Sequence, residues 1–303
     1  IYEDGKCEGP TAVNAINKLI NIDKVKIILG GTCSSETLAI APVAQENKVV
    51  LFTSFALSPL IRNSGDYVFR NVPADDVAAK SLADLAFKNG VRRVGILTAN
   101  EDYANAFRDS FVNEFNKRGG LIVFDEKHTT SHKDFRTMIT KLNQSNPDAL
   151  LINSQAGSTG LIAKQLNELG EGLPLYGNVY FAAADVINDF GTYLNYGYFS
   201  QPADLDINSE KVKEFFANYK KNFGQEPSVA PFWAAARYDS VYIIAKAISA
   251  SKSGETESIQ EQLSNLENYQ GLIGTYGMDY EGEPVGINFI NKQIVDGQFI
   301  DIK

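Results

Sequence analysis

Short β-branched runs alternate along the chain with stretches whose apolar residues recur every three or four positions. Val25-Lys-Ile-Ile-Leu ends on Gly30-Gly31, an alanine-rich stretch from Glu36 to Glu46 follows, and Val49-Val-Leu-Phe-Thr comes next. That pattern predicts strand, helix, strand. Between Ala74 and Lys88, the residues Ala78, Leu82, Leu85 and Ala86 share one helical face. Arg93-Val-Gly-Ile-Leu-Thr predicts a strand, and Tyr103, Phe107, Phe111 and Phe115 predict a helix stopped by Gly119-Gly120. The alternation continues with strands at Leu121-Ile-Val-Phe, Ala149-Leu-Leu-Ile-Asn, Leu173-Pro-Leu-Tyr-Gly and Asn195-Tyr-Gly-Tyr-Phe-Ser. Helices are predicted between them from Phe135 to Leu142, Gly160 to Leu169 and Ala182 to Phe190. Strands alternating with helices in this way imply parallel sheets covered on both faces.

The later chain changes character. Lys211 to Phe223 predicts a helix with Val212, Phe215, Phe216 and Tyr219 inward, and Ala234 to Ala250 a longer one carrying Tyr238, Val241, Tyr242, Ala245 and Ile248. Gly271 to Tyr276, Asn288 to Asn291 and Gln298 to Ile300 read as short strands, with turns at Glu281-Gly282 and Asp296-Gly297. Tyr2-Glu-Asp-Gly reads as the end of a strand, so an upstream strand and helix are expected to be missing from this chain.

With 303 residues the chain is about twice a usual domain length, so two domains are expected. Hydrophobic residues at 44% and charged residues at 21% exclude a disordered or low-complexity chain. No apolar run reaches the roughly 18 residues of a membrane span. A net charge of −9 argues against nucleic acid as a partner.

Catalytic signatures are wanting: there is no G-x-G-x-x-G after a strand, no phosphate-binding loop and no G-x-S-x-G elbow. His128 and His132 flank Thr129-Thr130-Ser131 and read as surface histidines; Asp75-Asp76 and Glu101-Asp102 open predicted helices, where acids complement the dipole. Cys7 and Cys33 are the only thiols, and neither has a second cysteine or a histidine close by, so neither metal nor cofactor is expected. They are either a disulfide or two buried unpaired thiols. Gly30 to Ser35 is a small-residue turn opening a helix. Its hydroxyls and free N–H groups suit one carboxylate without a charged side chain; alternatively Ser34 or Ser35 simply caps the helix. Pro42 predicts a kink or a late start in that helix. Phe55-Ala56-Leu57-Ser58-Pro59 follows the next strand at the same, carboxyl, edge of the sheet, where open α/β sheets take ligands, or is merely a turn. Tyr103 opens its helix at the equivalent edge of the second set of strands.

These residues, in order, resemble a family. Tyr2 to Cys7, Ala12 to Leu19 and Ile28-Leu-Gly-Gly-Thr-Cys-Ser-Ser35 are similar to the type I periplasmic binding proteins of the leucine/isoleucine/valine-binding branch. Further similarity lies in Ala56-x-Ser58-Pro59, Phe69-Arg70-Asn71, Asp102-Tyr103 and Tyr238-Asp239-Ser240-Val241. The resemblance implies an α/β fold of two doubly wound parallel-sheet lobes joined by three crossovers, the first strand and helix of lobe 1 being absent. One lobe would be 1–72 with 203–283 and the other 73–202 with 284–303. It implies a Cys7–Cys33 disulfide, no enzymatic activity, and a periplasmic or cell-surface location, with membrane contact only through a lipid anchor or the permease. A small solute would bind in the interlobe cleft by hinge closure and pass to ABC permease subunits; the same fold also serves receptors and amide sensors.

By the same resemblance Ser34 holds a ligand carboxylate, Ala56 supplies a backbone contact, and Tyr103 is the aromatic from the opposite lobe. The candidate set is Cys33, Ser34, Ser35, Phe55, Ala56, Leu57, Tyr103, Gln155, Ala156, Val179 and Tyr180. Three positions depart from the family pattern. Leu57 replaces a threonine, Ala156 stands near a usual aromatic, and Val179 stands where an acid normally meets the ligand ammonium. The expected solute therefore has a carboxylate or neutral polar head and an apolar body.

Overall fold

The computed structural model describes residues 1–227 and 231–302. The chain forms two compact units, residues 1–74 with 203–288 and residues 75–202 with 289–303, so it passes from one to the other three times. The division lies two to five residues beyond the positions expected from the resemblance.

In the first unit α1 (Gly9–Asn21) leads to β1 (Ile27–Leu29), α2 (Ser34–Glu46), β2 (Val50–Thr53) and β3 (Val68–Arg70). The strands pair in parallel in the order β1-β2-β3. α1 and α2 bury Ala12, Ile16, Ile40 and Ala44 against Ile28, Leu51 and Val68. α2 runs unbroken through Pro42 because Ile40, Ala41 and Ala44 around it are buried, and packing overrides local preference. Tyr2 to Asp4 carry no strand pairing, and Glu3 meets Lys18 on α1 instead.

The second unit then builds α3 (Asp76–Lys88), β4 (Arg93–Ala99), α4 (Asp102–Lys117), β5 (Leu121–His128), α5 (Arg136–Gln144), β6 (Ala149–Asn153), α6 (Ala156–Glu168), β7 (Leu175–Gly177), α7 (Ala184–Phe190) and β8 (Tyr198–Pro202). Back in the first unit come α8 (Glu210–Phe223), α9 (Pro231–Ser251), α10 (Thr256–Ser264) and the antiparallel strands β9 (Tyr269–Gln270), β10 (Thr275–Met278) and β11 (Pro284–Val285). β12 (Phe289–Val295) and β13 (Gln298–Ile302) return to the second unit and complete a seven-stranded sheet, β13-β12-β8-β7-β6-β4-β5. Its last two strands are antiparallel to the rest.

Both faces of that sheet are buried. Ile96 and Leu151 point into one core with Leu82, Phe107, Phe111 and Phe115. Their chain neighbours Leu97, Leu150 and Ile152 point into the other, with Ile162, Leu166, Phe181 and Phe199. Alternation along a doubly covered strand explains why β4 and β6 read as continuous apolar runs.

α9 departs from expectation. Tyr238, Val241, Tyr242 and Ile248 lie exposed, while Phe232, Ala235, Ala236, Asp239, Ser240, Ile243 and Ala247 are buried. Asp239 turns inward because its carboxylate accepts the N–H groups of Leu272 and Ile273 at 2.9 and 3.1 Å. Beneath the Ala56 loop, Arg70 is wholly buried. Its Nε and Nη2 donate to the Glu283 carboxylate at 2.5 and 2.6 Å, and its Nη1 donates to the carbonyls of Ala56 and Ser58 at 2.9 and 3.0 Å.

Candidate functional site

Each unit gathers part of the candidate set. In the first, Cys33 forms a disulfide with Cys7, which closes a separation of 26 residues and ties the segment before α1 to the start of α2. The N-cap of α2 is Cys33 rather than either serine, and Ser34 is the first helical residue. The turn is not free of charge: the buried Glu36 carboxylate accepts the N–H groups of Cys7 and Cys33, both at 3.0 Å. The dipole at this helix end is thereby partly compensated. Ser35 donates its hydroxyl to the Cys7 carbonyl at 2.9 Å, an intramolecular role.

Ser34 is placed differently. Its Oγ, buried, accepts the N–H of Ser58 at 3.1 Å and so joins the α2 turn to the loop after β2. A hydroxyl that accepts this bond keeps its own proton to donate. Two loops that the sequence separates by more than twenty residues thus meet at the carboxyl edge of the sheet. Ala56 and Leu57 are buried in that second loop. The Ala56 carbonyl is held by Arg70, while its N–H approaches Thr53 Oγ1 at 3.4 Å. Phe55 packs edge-on against Trp233 at the start of α9, with centroids 4.8 Å apart.

In the second unit Tyr103, Gln155, Val179 and Tyr180 come together at the carboxyl ends of β4, β6 and β7, which are neighbours in the sheet. Tyr103 and Tyr180 meet edge to face at 6.2 Å. Val179 is buried in a 3-10 turn, Val179–Ala182, and Ala156 is half-buried at the start of α6. Asn178 fixes the turn: its Oδ1 accepts the Tyr180 N–H at 3.0 Å, and its Nδ2 donates to Asn153 Oδ1 at 3.1 Å.

Two acids read as helix caps belong to this cluster. Neither makes a side-chain capping bond. Tyr103 donates its phenolic proton to Asp75 Oδ2 at 2.6 Å, and Gln155 Nε2 donates to Glu101 Oε2 at 2.5 Å. Burial, reinforced by Asp75, pushes the Tyr103 phenol well above its ordinary pKa; burial likewise pushes Tyr180 up to about 12. Desolvation also raises Glu101, partly offset by the Gln155 bond. His128 corrects another expectation: it is buried at the end of β5, its Nδ1 bonded to the Thr129 carbonyl and its Nε2 to Ser154 Oγ at 2.7 Å. Burial lowers its pKa.

The cluster offers hydroxyl and amide donors in one unit, and aromatic faces with two carboxylates in the other. Comparison with known proteins agrees with such a binding role. A family model described as periplasmic binding protein matches residues 1–286. The Leu/Ile/Val-binding protein homolog 3 of Brucella melitensis biotype 1 is 23% identical across 100% of this chain and 81% of its own length. A leucine binding protein from Thermotoga maritima MSB8 has a similar structure, with a TM-score of 0.89 and 27% identity over 99% of this chain and 85% of that one. A solute binding protein of an ABC transporter from Rhodopseudomonas palustris BisB5, in complex with 3,4-dihydroxybenzoic acid, gives 0.84 and 26% over 100% and 84%.

Proposed function

The chain belongs to the periplasmic binding protein family, and from that premise we propose that it is an extracytoplasmic solute-binding protein of an ABC transporter. Its solute is a small amino acid-like or carboxylate-bearing organic molecule, received by the two units in hinge closure and passed to permease subunits. The observation that carries this reading is Ser34. A buried hydroxyl whose acceptor side is taken by the Ser58 N–H presents a proton at the first turn of α2. The first-turn N–H groups lack intrahelical acceptors and add to it.

Support comes from what the relatives bind. Leucine and 3,4-dihydroxybenzoic acid, named for two similar structures, share a carboxylate on an apolar body. Differential affinity for the closed arrangement would drive the hinge, as in other two-lobed binders. Ser34→Ala tests the reading by calorimetry. Loss of a hydrogen bond to a charged group is expected to weaken carboxylate binding by about 1–3 kcal/mol, and to leave the methyl ester of the same acid much less affected. Equal affinity in the variant would remove Ser34 from the site.

A further inference from the structure

The sequence assigns no partner to a ligand ammonium, because the position that would carry the acid is Val179. The second unit nevertheless holds a carboxylate close by. We propose that Glu101 is the acidic group that receives the amino group of the solute, making the ligand an amine-bearing acid rather than a simple carboxylic acid. The inference rests on the binding role proposed above for the same site, and it names the chemistry of the solute's second end.

Placement comes first. Glu101 is the residue before α4, at the carboxyl end of β4, and Gln155 is its counterpart before α6, at the end of β6. The two strands are adjacent and parallel, and the side chains meet, Gln155 Nε2 donating to Glu101 Oε2. Tyr180 stands after β7, the next strand, and its ring meets that of Tyr103 at 6.2 Å. Glu101 thus sits among the aromatic residues that the resemblance assigns to the ligand, on a different element from the one carrying Val179.

Pairing comes second. Asp75, the other acid here, takes the Tyr103 phenol. Glu101 is half-buried and has one neutral donor; among the described residues no lysine, arginine or histidine pairs with it. A partly desolvated carboxylate with no counter-charge is a costly arrangement in a protein that needs only rigidity at that place. An incoming ammonium removes the cost, with two tyrosine rings able to supply cation–π attraction. The Gln155 bond occupies Oε2 and orients the carboxylate, so Oε1 is the atom assigned to the solute.

The test is calorimetry of the wild type and Glu101→Gln with L-leucine and with 4-methylpentanoate, which has the same carbon skeleton and carboxylate but no amine. L-phenylalanine and 3-phenylpropanoate form a second pair in case the pocket prefers a ring. The wild type should bind the amino acid of at least one pair tenfold or more tightly than its deaminated counterpart. Glu101→Gln should erase that margin while changing the deaminated acid by less than twofold, since glutamine preserves shape and an acceptor for Gln155. Equal weakening of both members would show a structural role and overturn the inference, as would an unchanged margin. A wild type that binds only the deaminated acids would also overturn it and leave the solute-binding reading intact. No binding of either pair would remove the reading of the site, and this inference with it.

Discussion

Replacing Arg70 by methionine asks whether one side chain holds the loop beneath Ala56 in place. The guanidinium is fully buried and makes four bonds: two to Glu283, and one each to the carbonyls of Ala56 and Ser58. Methionine fills much of the volume but strands the Glu283 carboxylate, itself only 6% exposed. Removing one partner of a buried pair costs about 3–5 kcal/mol. Arg62, whose Nε lies 3.4 Å from Glu283, still compensates part of the charge, so the expected cost is at the low end, about 3 kcal/mol. With a urea slope of about 2–3 kcal/mol/M, the midpoint should fall by about 1–1.5 M, followed by circular dichroism. The double variant Arg70→Met with Glu283→Leu removes the stranded charge and should recover most of that loss. A single-variant midpoint within about 0.3 M of wild type, or a double variant no better than the single, would refute the argument.

Glu101 makes a second prediction, about pH. Burial raises its pKa, so the folded chain binds that proton more tightly than the unfolded chain, and the ionised form costs stability above the folded value. Solute-free Glu101→Gln should therefore melt higher than wild type at pH 7, with the gap closing as pH falls toward about 4, the unfolded carboxyl range; a gap that widens on acidification contradicts this. The Cys7–Cys33 bond, spanning a separation of 26 residues, should contribute about 3.5 kcal/mol on the chain-entropy model, so a Cys7→Ser, Cys33→Ser double variant should lose roughly that much in the same urea assay. Thiol titration of the unreduced, unfolded chain should give no signal, and two reactive thiols would end the assignment.

The alternation of strands and helices was legible because strands such as β4 and β6 are buried on both faces, which leaves an unmistakable apolar run between periodic stretches. α9 was not, because apolar spacing counts side chains and ignores hydrogen bonds. Tyr238, Val241, Tyr242 and Ile248 have perfectly helical spacing, yet Asp239 is the residue whose backbone partners decide which face turns inward. Ser34 could be read from a short turn between a strand and a helix. Asp75 and Glu101 could not, since an acid at a helix start satisfies the dipole whatever else it does. Their partners Tyr103 and Gln155 lie 28 and 54 residues further along the chain. His128 was misread for a similar reason: Ser154, its partner, is supplied by a different strand.

The way β12 closes the larger sheet constrains how the protein can be made. β8 pairs on one side with β7 and on the other with β12, residues Tyr198 to Pro202 meeting Gln293 to Phe289. During synthesis the ribosome delivers β8 long before β12, with the whole second part of the first unit in between. A nascent chain must therefore wait with that strand's open edge and Phe199 unprotected, a template for pairing with other chains. Holdase chaperones would meet their substrate in that interval, and a message truncated before codon 289 would yield a product prone to aggregate rather than one merely short of a hairpin.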